Sequence, residues 1–478
     1  MSGCTITIYG GVNEVGGNKI LLYDNGTKIL LDFGKGFSRR ARFFEEYLKP
    51  RSANGIVDFI ETGLIPDVEG IYREDLLEMA GMKASAPAVD AVLVSHAHAD
   101  HVDYISFLHR DIPLYMGSTC HTILQAIQDR APRDFEREVL DFLPKPSKRG
   151  VKPVARKINE FRSGRKFKIG SLEIHPIHVD HSIPGAYGFI IYTSAGPVVY
   201  TGDVRLHGAR PEMTQEFVSE ARAAKPIVLI CEGTRITDIS LEESEQRVFR
   251  EANGLVTKHP DSPVFADFNF KDTDRVKTFY RIAKENGRKL VVKLKDCYYL
   301  KYLSQDPNLG IPSYDDKDIV IYKPKQVSGT YADGDYYGED ATFASLPNAK
   351  TAAEISQNPS RYVCALGYFS FASLIDIRPP SGTLYIHSAS EPYNEEMVLN
   401  QERVDNWLDK FGMERHQIHC SGHAKGPDLF QIVKEIDAKM LFPIHTEHPE
   451  LYVRATRNMT VVEEGKTYAL QRVNAEPI

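Results

Sequence analysis

The chain has 478 residues, of which 42% are hydrophobic and 26% charged, with a formal net charge of -7. That length holds two or three domains, the composition is that of a folded globular protein, and the acidic balance does not advertise a nucleic-acid binder. No apolar run approaches bilayer-spanning length. The six cysteines (Cys4, Cys120, Cys231, Cys297, Cys364 and Cys420) form no CxxC pair, which argues for free thiols in a reducing cytoplasm.

The N-terminal MSGCTITIYGG lacks a basic and an apolar leader region and reads as the first strand of a fold. YGGVNEVGGNK has the wrong glycine spacing for a dinucleotide fingerprint, and a strand rather than a helix follows it. KILLYDNGTKILLDFG predicts a hairpin, because Asn25-Gly26 accepts the positive φ of a type I′ turn; YGFIIYTSAGPVVYTGD repeats the pattern around Ser194-Ala195-Gly196. Hairpins followed by helical stretches indicate an α+β sandwich of sheets with outer helices over roughly the first 210 residues.

From about residue 236 the texture changes to strands and helices in alternation, the mark of a mostly parallel α/β module. Within it Asp272 is expected to cap a helix whose apolar stripe is Val276, Phe279, Tyr280 and Ala283, ending at Asn286-Gly287. The loop QVSGTYADGDYYGED offers tyrosines for stacking, for a subunit contact or for an ordinary surface. Near residue 412 the first texture returns: Pro427 opens a helix with Leu429, Ile432, Val433 and Ile436 on one face, and the strand MLFPIH delivers His445.

The chemistry concentrates in AVLVSHAHADHVDY, residues 91–104, where His96, His98, Asp100 and His101 follow an apolar strand. An HxH pair at a strand end points both imidazoles the same way. Neutral imidazoles with a nearby carboxylate suit a borderline divalent ion such as zinc, and the mixed set suits a second. His181 in VDHSIPG, Asp203 in YTGDV and His445 in FPIHTEH supply the further ligands, one bridging, that a two-metal site requires. Residues 144–170, dense in Lys and Arg and containing Arg165 and Lys166, read either as a solvated basic surface or as a phosphate-tracking patch.

These stretches, in this order, resemble the metallo-β-lactamase superfamily and, within it, the β-CASP nucleases, most closely the RNase J-like members. Asp32 in LLDFG matches the first motif, HAHADH the second, His181 the third and Asp203 the fourth; Glu232 in LICEGTR, His423 in HCSGHA and His445 match the β-CASP motifs A, B and C. The resemblance implies a metallo-β-lactamase αββα sandwich with an inserted β-CASP α/β domain. Residues 1–235 and 412–478 would form the sandwich and residues 236–411 the insertion. By the same resemblance His96, His98 and His181 would hold one metal, Asp100, His101 and His445 the other, with Asp203 bridging. The cofactor would be two zinc ions per chain, with manganese or magnesium as alternatives.

The implied activity is hydrolysis of RNA phosphodiester bonds, leaving a 5′-phosphate and a 3′-hydroxyl. His423 would stabilise developing charge or protonate the leaving oxygen, while Asp32 and Glu232 would fix histidine tautomers. Histidine at motif C goes with RNA in this family. Ser388 and Ser390, with His419, Ser421 and Gly422 of the HCSGHA loop, are candidates to bind a terminal phosphate. CALGYFSFASL stands where RNase J proteins carry Gly-Ser-Gln-Gly-Glu-Pro, so endonuclease and 5′-to-3′ exonuclease action both stay open. Only about thirty residues follow His445, as in short or archaeal relatives without the C-terminal domain. The expected partner is single-stranded RNA rather than a membrane, and the expected setting a cytoplasmic homodimer or homotetramer. The competing readings are a small-molecule ester or thioester hydrolase and a non-catalytic RNA-binding subunit.

Overall fold

The structure is a computed structural model that describes residues 3–130, 132–146, 150–240, 243–390 and 395–471. The chain forms two compact units, one made of residues 1–206, 210–241 and 422–478, the other of residues 207–209 and 242–421.

The first unit is built on two mixed sheets. One runs in the order Thr467–Leu470, Cys4–Gly10, Lys19–Asp24, Thr27–Phe33, Ala91–Leu93, Leu114–Gly117, Ile158–Phe161. The other runs Leu441–Pro443, Val228–Cys231, Pro197–Tyr200, Tyr187–Tyr192, Leu172–His178, Phe167–Ile169. Asn25 (φ 46°) and Gly26 (φ 91°) close the first hairpin with Asp24 opposite Thr27, the conformation that the Asn-Gly pair favours.

Side-chain alternation along the strands separates two cores. Ile6, Ile20, Leu22, Ile29 and Leu31 from the first sheet meet Ile174, Phe189, Ile191, Val198 and Ile230 from the second. The intervening Ile190, Val199 and Leu229 point the other way, against Phe217 and Val218 of the helix Pro211–Ala224 and Leu429, Ile432, Val433 and Ile436 of Gly426–Ile436. Pro427 sits in the first turn of that last helix, where its missing N–H costs nothing. This is an αββα sandwich, and its strand ends carry the ionisable residues described below.

The second unit is a seven-stranded, wholly parallel sheet in the order Ala349–Lys350, Ile319–Tyr322, Lys289–Lys293, Tyr362–Cys364, Val264–Asp267, Leu384–His387, Glu414–Gln417. The helix Thr273–Glu285 is capped by Asp272, whose carboxylate accepts the Arg275 N–H at 3.1 Å. Its buried stripe is Val276, Phe279, Ile282 and Ala283; Tyr280 lies at the edge and donates its hydroxyl to Asp316 at 2.9 Å. In the tyrosine-rich loop Tyr336 is buried while Tyr337 is 70% exposed.

Candidate metal centre

Every candidate ligand reaches the site from the end of a strand of the first unit. Val92 and Leu93 are buried in the sheet, and the chain leaves that strand through Ser95 into His96 and His98; Asp100 and His101 follow on the short helix Ala99–Val102. His181 follows the strand Leu172–His178, Asp203 follows Pro197–Tyr200, Glu232 follows Val228–Cys231 and His445 follows Leu441–Pro443. Two of these side chains sit on strained backbone: Asp32 and His445 adopt φ of 54° and 52°, sparsely populated by residues other than glycine.

Three groups of donors converge. His96, His98, His181 and Asp203 form one, Asp100, His101 and His445 a second, and Asp203, Glu232 and His423 a third, each with ligand atoms within 4.8 Å of one another. His98 Nδ1 lies 3.1 Å from His96 Nε2 and 3.0 Å from His181 Nε2. Three nitrogens on one tetrahedral zinc, at bonds of about 2.0–2.1 Å, would stand only slightly farther apart, at about 3.3 Å.

Asp203 is the centre of the arrangement. It is 1% exposed, and neither carboxylate oxygen accepts an aligned hydrogen bond. Five imidazole nitrogens nevertheless stand within 4 Å of it: His101 Nε2 at 3.2 Å, His96 Nε2 at 3.4 Å, His181 Nε2 at 3.7 Å, His445 Nε2 at 3.8 Å and His423 Nδ1 at 3.9 Å. A buried carboxylate without donors carries a large desolvation cost. The donor set therefore fits divalent cations.

The opposite edges of the imidazoles are already occupied, which sets their tautomers. His101 Nδ1 donates to Asp32 Oδ2 at 2.8 Å. Ser95 Oγ donates to the same carboxylate at 2.7 Å, so it accepts from His96 Nδ1 at 3.0 Å. His181 Nδ1 donates to the Gly422 carbonyl at 2.5 Å. Thr234 Oγ1 donates to Glu232 Oε2 at 2.6 Å and accepts from His445 Nδ1 at 2.8 Å. In the neutral form each of these four rings then turns an Nε2 lone pair inward. Ser95, Thr234 and Tyr200 (whose hydroxyl donates to Asp32 at 2.6 Å) were not singled out from the sequence. Their places in the sequence, Ser95 next to His96 and Thr234 two residues after Glu232, are the one signal that could mark the first two.

The electrostatics divide the histidines. Burial keeps His96 neutral, and burial with the neighbouring His423 holds His181 down to about 3. Burial acts the same way on His101 and His445, but Asp203 with Asp32 overrides it at the first and Asp203 with Asp100 at the second, raising both. At His423 the carboxylates of Glu232 and Asp203 overcome burial and lift the pKa to about 9. Asp203 itself is held well below the usual range by His101, His445 and His423 despite its burial.

Of the remaining candidates only Glu232 adjoins this cluster. Glu232 is fully buried and accepts from Val204 N, Thr234 and His423 Nδ1 (3.0 Å). Ser388, His419 and Ser421 belong to the second unit. There the buried Arg275 donates to the Ser388 carbonyl at 2.7 Å, while His419 Nδ1 lies 3.1 Å from that carbonyl. Ser388 Oγ is spent on the Ile418 carbonyl; Ser390 is exposed. Lys166 pairs with Glu173 at 3.0 Å and covers the Tyr192 ring, beside an exposed Arg165. Lys148 and Arg149 of the basic stretch lie outside the described residues.

Residues 68–244 match the Beta-lactamase superfamily domain, a span that includes the HAHADH stretch, His181, Asp203 and Glu232. The chain is 25% identical over 456 residues to Ribonuclease J of Mycolicibacterium smegmatis, covering 93% of this chain and 69% of that protein. It is 23% identical to Ribonuclease J of Mycoplasma genitalium over 505 residues, covering 99% and 76% respectively. The crystal structure of a protein of unknown function from Enterococcus faecalis V583 shares the fold, with a TM-score of 0.73, 21% identity and coverage of 98% of this chain and 100% of that one. Sandwich, strand-end histidines and domain match together define a member of the metallo-β-lactamase superfamily. Over nearly its whole length the chain is similar to proteins named Ribonuclease J. No helix among the described residues is long and apolar enough to cross a membrane.

Proposed function

We propose that this chain is a dinuclear, zinc-dependent ribonuclease that hydrolyses RNA phosphodiester bonds and leaves a 5′-phosphate and a 3′-hydroxyl. The observation that carries the reading is the donorless Asp203 carboxylate ringed by five imidazoles. The naming of its relatives as Ribonuclease J supports RNA as the substrate. The parallel sheet unit is assigned as the inserted β-CASP domain, with the sandwich completed by the C-terminal segment.

In this reading His96, His98 and His181 would hold one ion and Asp100, His101 and His445 the second, with Asp203 shared between them. When bound, the ions supply Lewis acidity that lowers the pKa of water toward neutrality and offsets charge on the phosphoryl oxygens. Asp32, Ser95, the Gly422 carbonyl and Thr234 keep the imidazoles oriented by holding their outer nitrogens. His423 is one-fifth exposed and protonated at neutral pH through Glu232, which equips it to donate a proton to the leaving 3′-oxygen.

The test is digestion of end-labelled single-stranded RNAs bearing 5′-phosphate, 5′-triphosphate or 5′-hydroxyl ends, beside matched DNA, with metal content measured on the same sample. Metal-dependent RNA cleavage abolished by Asp203→Asn is expected. Turnover of small esters or thioesters with RNA untouched would replace the reading with a small-molecule hydrolase. Less than one metal per chain with RNA bound intact would leave an RNA-binding subunit.

A further inference from the structure

The chain that leaves Asp32 forms one rim of the metal cluster. Lys35 donates its backbone N–H to the Ala99 carbonyl at 3.1 Å, one residue before Asp100, and its ammonium pairs with Glu136 at 3.0 Å. A Cβ on Gly34 would stand 1.7 Å from the Asp100 carbonyl oxygen, so the backbone lies directly on the segment that carries Asp100 and His101. From this rim residues 36–51, GFSRRARFFEEYLKPR, lead away.

The segment is firmly seated. Arg39 pairs with Glu14 at 2.9 Å and Glu464 at 2.5 Å, and Arg40 with Glu136 at 3.1 Å. Phe43 and Phe44 donate their N–H groups to the Arg40 carbonyl, and Glu45 N–H bonds the Leu48 carbonyl. What this scaffold presents to solvent is unusual in kind. Phe37 and Phe43 are each 47% exposed and Tyr47 87%. Arg42 and Lys49, both exposed, form no ion pair with any described residue. Of the five cations in this stretch Arg39, Arg40 and Arg51 are held by carboxylates, which leaves Arg42 and Lys49 for a partner, beside the exposed Glu45 and Glu46.

Interleaved exposed rings and unpaired cations are what a single nucleic-acid strand requires: ring faces for its bases, cations for its phosphates. A duplex hides its base faces, and the centre of a protein interface is depleted in charge. We infer that residues 37–49 form a stacking platform that holds single-stranded RNA where it approaches the metal cluster. The inference rests on the ribonuclease reading and names a subsite for its substrate.

The full chain carrying Asp203→Asn, alone or with Phe43→Ala/Tyr47→Ala or Arg42→Ala/Lys49→Ala, provides the test. Melting temperature and metal stoichiometry report integrity. Loss of the two rings is expected to weaken binding of a single-stranded RNA by about tenfold or more and to leave duplex binding as it was. Tyr47→Trp should preserve the affinity. Loss of the two cations should flatten the slope of log affinity against log salt by roughly 1.4. If the parent enzyme cleaves RNA while both variants bind within about twofold of the Asp203→Asn chain, the platform is wrong and the ribonuclease stands. If the parent cleaves no RNA but the variants still lose single-strand binding, the platform stands without the ribonuclease. Unchanged RNA affinity with loss of self-association on a sizing column would assign the face to a second copy of the chain and overturn the inference.

Discussion

His101 Nδ1 donates to Asp32 Oδ2 across 2.8 Å, and both side chains are wholly buried. The same carboxylate accepts from Ser95 N at 2.7 Å, Ser95 Oγ at 2.7 Å and Tyr200 OH at 2.6 Å. One residue thus orients an inward imidazole and satisfies three further donors. Asp32→Ala should lower metal affinity by about 10–100-fold, the usual effect of removing a histidine's outer partner. It should also cost about 1–3 kcal/mol of stability for each donor left unpaired. Chelator competition and urea denaturation separate the two effects, and wild-type metal affinity in this variant would remove the orienting role.

Metal binding should expel protons. His101 and His445 are buried, which favours their neutral forms, yet the carboxylates of Asp203, Asp32 and Asp100 raise both above the ordinary histidine value of 6.5. A ligand nitrogen must be unprotonated. Affinity should therefore climb as pH rises above the ordinary histidine range, with about two protons leaving this pair. Calorimetry in buffers of differing ionisation enthalpy counts them; binding with no proton release would mean that these rings are neutral beforehand.

Lys19 makes a separate, stability-only prediction. It is 3% exposed, its ammonium donates to the Gly17 carbonyl at 3.0 Å, and burial together with Arg39 pulls its pKa from 10.5 to about 8 against the attraction of Glu14. Below about pH 8 both folded and unfolded lysines are charged, and the cost of burying the cation, about 3 kcal/mol, is fully present. Between about 8 and 10.5 the unfolded chain binds more protons, so stability should rise with pH. Lys19→Met should remove this slope and stabilise the chain at pH 7. Denaturant midpoints from pH 7 to 11 would show it, and parallel profiles for the two proteins would sink the idea.

How much of this was legible in the sequence depends on what carries the information. Asn25-Gly26 and Pro427 act through local backbone chemistry, and the structure has the turn and the helix start they imply. The helix after Asp272 has the cap its sequence implies, but its stripe takes Ile282 rather than Tyr280, because the tyrosine hydroxyl reaches Asp316 at the edge. His96, His98, Asp100 and His101 stand out by spacing alone. Ser95, Tyr200 and Thr234 do not, since single hydroxyl residues occur everywhere and only the folded chain shows what they touch. Charge density marks residues 144–170 in the sequence. Phe37, Phe43 and Tyr47 look like core residues until burial is known, and burial is a tertiary property.

His423 carries the last prediction. Its Nδ1 lies 3.0 Å from Glu232 Oε2, and Glu232 with Asp203 lifts its pKa to about 9 in spite of burial. His423 spends its Nδ1 on Glu232 and shares a donor group only with Glu232 and Asp203, so His423→Ala should keep the metal content while lowering kcat by about 100–10,000-fold, the range for a lost general acid. If the imidazolium is the donor, activity should fall as pH rises and the proton is lost. Glu232→Gln removes one of the charges that hold that proton, so the alkaline limb should move to lower pH than in the parent. In His423→Ala the limb should vanish. A pH–rate profile of RNA cleavage by the three proteins decides the matter. An alkaline limb that stays in place in both variants would assign it to another group and leave His423 with a purely electrostatic role beside Asp203.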